Sequence, residues 1–392
     1  MPVVTQFSPR QTANVAVIGG GVIGLTIARA LALRGVRDIS IIERASLGTE
    51  ASFAAAGMLA PQAEADSGDE FFRFTCQSRD MYANFAASLL EETGVDVELD
   101  TTGTLYLALT EHDRGEIDQR CDWQTRAGLR AERLSAADAR GLEACISPAV
   151  QGALHFPLDV QVENRRLLTA LANSVDKLGV RTLTETSVES LQVERDRVNG
   201  LQTTRGFLSC STVVVAAGCW TSFIGVSRGE TEQKLKSIPR IEPVRGQMLC
   251  FDSRPQLARH VIYSPRGYLV PRRDGRLLAG STSERAGFAK QVTAGGVGSI
   301  LGHAMEIAPA IARLPMLDSW AGLRPRAADG LPVLGPCGEI EGLFYATGHY
   351  RNGILLAPIT GELIAQAVID KIVSPLLAPF SPNRFDPVMV GL

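Results

Sequence analysis

The sequence predicts a mixed α/β fold in two domains, the first built on a Rossmann-like parallel sheet. Three observations lead there. The chain has 392 residues, more than one simple core holds. Residues 14–44, NVAVIGGGVIGLTIARALALRGVRDISIIER, read as strand, glycine turn, helix and strand in register. Residues 342–369 again run from an apolar strand through glycines into a helix.

In the first block residues 15–18 form a buried parallel strand, and Gly19, Gly21 and Gly24 supply G-x-G-x-x-G. Gly19 makes the tight turn, Gly21 lets a pyrophosphate approach the backbone, and Gly24 lets helix and strand pack closely. The helix carries Ile23, Ile27, Ala30 and Leu31 on one face. Its first amides and the positive end of its dipole face the phosphates. A second strand, Ile39–Ile42, ends on Glu43, which can accept hydrogen bonds from the hydroxyls of an unphosphorylated ribose. The motif alone does not separate NAD from FAD.

Residues 45–64 lack a clean period. Their small residues, Ala51 to Met58 with Gly57 among them, let backbone approach a bulky planar ligand. Residues 70–93 read as one helix with Phe71, Phe74, Met81, Phe85 and Leu89 inward, and residues 164–178 as another with Leu167, Leu168, Leu171 and Val175 inward. Helical patterns also cover 111–128, 135–142 and 294–307, and a strand covers 102–109. Strands are expected at 183–193 and 200–204, with a turn at Asn199-Gly200. Residues 211–218, STVVVAAG, bring an apolar strand to a ligand-bearing edge at Gly218. A polar surface loop is expected over 225–240, then a strand-rich stretch over 247–281 with turns at Pro265-Arg266-Gly267 and Asp274-Gly275. The Pro-rich tail from Ser374 reads as irregular.

Composition narrows the function. A net charge of −3 with mixed signs gives no nucleic-acid surface. Seven scattered cysteines without C-x-x-C suit free thiols in a reducing cytoplasm, and five dispersed histidines do not suggest a metal centre. The N-terminus lacks a signal pattern, and no apolar run is long enough to span a bilayer, so a cytoplasmic protein without a membrane partner is expected.

IGGGVIG…IIER, ASFAAAGMLAPQ, VVVAAGCW, GLRPRAADGLPVLG and ATGHYRNGILLAPITGELI together resemble the D-amino-acid oxidase family of flavoproteins. AAAGML and GHYRNGILLAP most resemble its glycine oxidase branch, associated with thiamine (thiazole) biosynthesis. The resemblance runs from Val15 to Ile369. It implies an FAD domain of residues 1–90, 155–222 and 318–392, and a substrate domain of 91–154 and 223–317 with a mixed or antiparallel sheet. It further implies that Val22, Ile23, Glu43 and Arg44 bind the adenosine diphosphate part, with a backbone contact from Val188 near the adenine. Ala51, Ser52, Ala56, Gly57 and Met58 would line the flavin. His349, Tyr350, Arg351, Asn352, Gly353, Ile354 and Leu355 would wrap the isoalloxazine, with amides toward its O2 and N1 region. Relatives that attach flavin covalently use a cysteine where this chain has approximately Gly322, so non-covalent FAD is expected. The family also suggests a homotetramer.

An amino-acid substrate presents a carboxylate, an amine and an α C–H. Arginine is the natural carboxylate partner, because its planar fork makes parallel charge-assisted bonds. The resemblance gives that role to Arg324, closes Tyr268 over the same carboxylate and places Arg351 near substrate and flavin. Ser283 and Met58 are candidates to line the pocket. The implied reaction moves a hydride from the α carbon of a neutral amine to flavin N5, leaves an imine that water hydrolyses, and uses no histidine base. The implied substrates are glycine, sarcosine and D-alanine, with oxygen reoxidising the flavin to give hydrogen peroxide. Rival readings are a D-amino-acid dehydrogenase reducing a quinone, a nicotinamide-dependent dehydrogenase, an RNA-modifying oxidase and a non-catalytic flavin binder. The nicotinamide reading explains only the first motif, and the RNA reading lacks a basic surface.

Overall fold

The computed structural model describes residues 11–228, 231–233 and 239–385. Its frame is a ten-stranded sheet, an eight-stranded sheet and a two-stranded ladder, Met58–Leu59 against Val160–Gln161.

The middle of the first sheet is parallel: Arg181–Leu183, Ile39–Ile42, Gln11–Ile18, Gly206–Val215 and Leu343–Thr347 lie side by side in that order. Val15 and Val17 enter one core and Ala16 and Ile18 the other, as a strand covered on both faces requires. Helices Val22–Leu33, Asn164–Lys177 and Ala357–Asp370 fill the first core. The first and last cross closely: a Cβ on Gly361 would stand 2.6 Å from Thr26 Cγ2. The strand Gly206–Val215 divides the sheet, because its first half pairs antiparallel with Arg197–Thr203 and its second half parallel with Leu343–Thr347. Gly19, Glu43, Ala216 and Gly348 therefore follow the carboxyl ends of neighbouring parallel strands, where open α/β sheets bind ligands.

In the second sheet Ile241–Asp252 pairs along its length with Met316–Ala327 on one side and with Arg276–Gly280 on the other. Gly267–Pro271, Val261–Ser264, Thr104–Ala108, Gly152–Phe156 and Glu132–Ser135 follow. Only Val261–Ser264 against Thr104–Ala108 is parallel, so the sheet is mixed. One face packs Leu249, Leu269 and Ala279 under the helix Ala294–Ile307. Met248, Tyr268, Val270 and Leu278 gather with Ala56 in a separate cluster.

Several elements differ from the sequence expectation. Residues 70–93 form two helices, Glu70–Asp80 and Tyr82–Thr93, broken at Met81. Phe74 and Leu89 are buried as expected, but Phe71, Met81 and Phe85 are only partly so, and Phe72 and Tyr82 take the inner places. The break turns Tyr82 so that its hydroxyl donates to the Ile354 carbonyl. The strand expected over 183–193 is two strands, Arg181–Leu183 and Val188–Glu194. The amides of Glu185 and Thr186 bind the Ala45 and Glu43 carbonyls between them. Asn199-Gly200 is not a turn; it lies in Arg197–Thr203 at a register shift. Arg195 and Asp196, with φ of 50 and 59°, make the reversal instead. Within the expected loop 225–240, Gly225–Arg228 and Thr231–Gln233 extend the first sheet, and the rest falls partly outside the described residues. The tail contains two short 3-10 helices, Pro375–Phe380 and Pro382–Phe385.

One strand straddles an expected domain limit, and another joins the sheet on the far side of one. Met316–Ala327 edges the second sheet through its long pairing with Ile241–Asp252, and Gly225–Arg228 joins the first by pairing with Val188–Glu194. No single helix among the described residues is long and apolar enough to cross a membrane. Ala357–Asp370 and Pro375–Phe385 reach that composition only as a pair bent by 107°, and most of the former is buried in the first core.

Candidate active site

A cleft of about 440 Å³ runs from the glycine turn to the second sheet and gathers nearly all the residues singled out in the sequence. At one end the glycines do what their spacing implies. Gly19 has φ of 109°, and a Cβ there would stand 2.4 Å from the Ala216 carbonyl oxygen. A Cβ on Gly24 would stand 1.9 Å from the Gly19 oxygen, so Gly24 serves helix–strand packing and does not itself line the cleft. The helix Val22–Leu33 begins without a side-chain cap on its N-cap residue Gly21, although Ser52 Oγ accepts from the Val22 amide at 3.1 Å. The glycine turn and this helix end border the cleft, so a pyrophosphate there would meet close backbone and the positive end of the helix dipole.

Glu43 lines the cleft with its carboxylate pre-set: Oε2 accepts from the Gly20 amide at 2.7 Å and Oε1 from the Ala45 amide at 2.9 Å. A carboxylate has about four lone-pair sites, so acceptor capacity remains for a ribose. Arg44 pairs with Glu50 and lies 3.7 Å over the Trp220 ring. Val188 and Gly218 line the same end.

The small-residue segment is a helical turn, Ala51–Ala54, followed by extended backbone. Its carbonyls are tied from behind. Asn164 Nδ2 donates to the Ser52 and Phe53 oxygens at 2.8 and 3.1 Å, and Trp320 Nε1 to that of Ala54 at 3.1 Å. Gly57, with φ of 74°, would bring a Cβ within 2.1 Å of the Val162 oxygen. Ala51, Ser52, Ala56, Gly57 and Met58 all line the cleft.

Opposite them, the segment after Leu343–Thr347 bends at Gly348 and at Tyr350, which has φ of 49°. His349 to Ile354 line the cleft, whereas Leu355 does not. Leu355 packs into the first core, and its carbonyl accepts from Ser78 Oγ at 2.6 Å. His349 is buried with Nε2 3.1 Å from Thr360 Oγ1, and burial pushes its imidazole down to about 3. It is therefore neutral at working pH and a weak base.

Arg324 enters from the edge strand of the second sheet. Its Nη1 donates to the Thr282 carbonyl at 3.0 Å and its Nη2 to Ser281 Oγ at 2.8 Å. Five N–H donors leave others for the cleft. The sequence did not point to Gly246, yet it makes room for this side chain: a Cβ there would stand 2.2 Å from both Nη atoms. Tyr268 is buried, donates to Met248 Sδ at 3.3 Å and stacks on Tyr263, which stacks on Tyr106. Arg351 Nη2 lies 3.3 Å from Glu64 and donates to Tyr263 OH at 3.2 Å. Glu64 holds the guanidinium above its ordinary pKa. Ser283 is not in the cleft wall, but its Oγ is 3.5 Å from Tyr350 OH. Cys219 does line the wall; its Sγ is bonded to the Leu323 oxygen at 3.3 Å, and burial pushes the thiol up to about 12.

These residues fit FAD: a long cleft, a glycine turn that a Cβ would block, and backbone-lined walls around a stretch of small residues. Residues 14–367 match the DAO family of FAD-dependent oxidoreductases. The glycine oxidase of Geobacillus kaustophilus is 35% identical over 373 residues, covering 95% of this chain and 97% of that protein. The bifunctional protein ThiO/ThiG of a Synechocystis species is 34% identical over 95% of this chain and 54% of its own length. The crystal structure of the Geobacillus kaustophilus glycine oxidase superposes with a TM-score of 0.88 at 34% identity, over 95% of this chain and 99% of that one. The chain therefore belongs to the D-amino-acid oxidase (DAO) family of FAD-dependent oxidoreductases.

Proposed function

We propose that the protein oxidises glycine and other small amino acids, sarcosine and D-alanine among them, and passes the electrons to oxygen as hydrogen peroxide. Arg324 carries this reading, because its anchored fork opens on the same cleft as the small-residue wall and the His349–Ile354 segment. The arginine binds the substrate carboxylate with paired charge-assisted bonds. Tyr268 closes the carboxylate end, and Arg351, already neutralised by Glu64, borders the site without attracting a second anion. Orientation then supplies much of the rate, on the order of 7–11 kcal/mol in well-aligned systems. Bound FAD supplies the hydride acceptor.

The reading includes the expected cofactor contacts, from Gly19, Gly21, Val22 and Ile23 at the phosphates to Asn352 and Gly353 at the ring. It takes the first sheet as the FAD domain and the second as the substrate domain. It further places the enzyme in the cytoplasm as a homo-oligomer, a tetramer by resemblance, feeding its imine to thiazole synthesis for thiamine. Likeness to glycine oxidases and to a ThiO/ThiG protein supports the substrate and the pathway.

Hydrogen peroxide production across glycine, sarcosine, D-alanine, D-proline and a bulky D-amino acid tests the activity. Turnover of the small substrates with little of the bulky one is the expected result. Reduction of a quinone analogue without oxygen uptake would make the protein a dehydrogenase instead.

A further inference from the structure

Arg272 lies beyond Gly267–Pro271 in the second sheet, and its side chain is buried against the first domain's small-residue segment. Nη2 donates to the Ala56 oxygen at 2.6 Å and to Asn164 Oδ1 at 3.2 Å. Nη1 donates to the Val162 oxygen at 2.9 Å and to Gln161 Oε1 at 3.0 Å. A Cβ on Gly57 would stand 3.2 Å from Nη2 and 2.1 Å from the Val162 oxygen that Nη1 binds, so glycine keeps this packed corner behind the cleft wall open.

The charge has no ion-pair partner among the described residues. The strongest acidic influence on it, Glu163, is engaged by Arg276 at 3.4 Å and by the Arg166 amide at 2.7 Å. The weaker ones, Glu98 and Asp274, pair with Arg166 and Arg276. Arg272 Nε has no hydrogen-bond partner among the described residues. Burial pushes the guanidinium down to about 10, which still leaves it charged at neutral pH. A buried cation normally requires a carboxylate, and for packing alone an apolar side chain of similar volume serves as well or better. Neutral acceptors hold this one in place without cancelling its field.

We propose that Arg272 is a positioning residue with an electrostatic role: it fixes the Ala56–Gly57 peptide and sets a positive charge with no carboxylate in contact behind the flavin-lining wall, which stabilises negative charge on the flavin. The inference rests on the FAD reading of the cleft. Its chemistry is general to flavoproteins: a cation near the ring favours any form of it that carries added negative charge.

Sulfite is a suitable probe. Its sulfur lone pair forms a bond to N5 of oxidised flavin, and the electrons leave the ring negatively charged, with no other reactant. Sulfite affinity of the FAD-loaded enzyme, read from loss of the yellow absorbance, should fall about tenfold in Arg272→Met. In Arg272→Lys, which keeps the charge and loses the fork, it should stay within about threefold of wild type. Thermal stability should fall in both. A purely structural arginine would lower stability while leaving sulfite affinity unchanged in Arg272→Met, and that outcome overturns the proposal. If Arg272→Met does not accumulate as folded holoenzyme, Arg272→Gln, which removes the charge and keeps donors, is read by the same criterion. Failure of the wild-type protein to hold FAD would instead overturn the reading beneath it.

Discussion

Arg324 has two of its N–H groups committed to Thr282 O and Ser281 Oγ, which fixes the plane of the fork before any ligand arrives. Arg324→Ala should raise KM for glycine on the order of 100-fold, and Arg324→Lys should recover only part of that, because an ammonium cannot pair bidentately. Steady-state kinetics in oxygen-saturated buffer check this. Gly246 gives a sharper test of geometry. The Cβ of Gly246→Ala would fall 2.2 Å from the Arg324 Nη atoms, so KM should rise about tenfold or more while FAD content stays near wild type. His349 is a test by pH. Its folded pKa, about 3, lies below the unfolded value of about 6.5, so the unfolded chain binds more protons between them. The stability from this residue is present above about pH 6.5 and is lost as pH falls toward 3. Thermal melts of His349→Asn should accordingly show a flatter acid limb than wild type.

Between elements, the small-residue segment is held by side chains from distant parts of the chain: Asn164, Trp320 and Arg272 each bind one or more of its carbonyls. Gly57→Ala would force a Cβ to 2.1 Å from the Val162 oxygen at a left-handed φ of 74°. A loss of about 1–3 kcal/mol in stability is expected, together with easier release of FAD on gel filtration. The glycine turn, the parallel strands and the helix Asn164–Lys177 were legible in the sequence, because local periodicity and spacing dictate them. The break at Met81 was not, since apolar residues recur at helical spacing straight through it. Asn199-Gly200 misled for a related reason. A strong turn dipeptide also suits a strand irregularity, and here Phe207 covers Gly200 while Arg195 and Asp196 turn the chain. Glu64, Trp220 and Gly246 escaped because they reach the cleft only through tertiary pairing. Gly246 matters because it lies opposite Gly322, two positions from Arg324, in a register that sequence spacing cannot reveal.

For the molecule as a whole, the two sheets meet at one cleft, the first offering backbone and small residues and the second offering Arg324 and Tyr268. On the proposed reading cofactor and substrate groups come from separate layers, joined by contacts such as that from Arg272, just beyond a strand of the second sheet, to Ala56 of the small-residue segment. Cys219, the cysteine in the cleft wall, is a bonded thiol whose pKa burial raises, a poor nucleophile toward flavin. Acid precipitation should therefore release the yellow chromophore into solution, and colour kept in the pellet would show a covalent link. The central claim is that the Arg324 guanidinium orients a small amino acid for oxidation at the flavin. Anaerobic mixing of the FAD-loaded protein with glycine tests it most directly. Wild type should lose its yellow absorbance with saturable dependence on glycine, and Arg324→Ala should need on the order of 100 times more glycine for the same rate. Unchanged colour in wild type, or equal bleaching of the two proteins at equal glycine, would contradict the account.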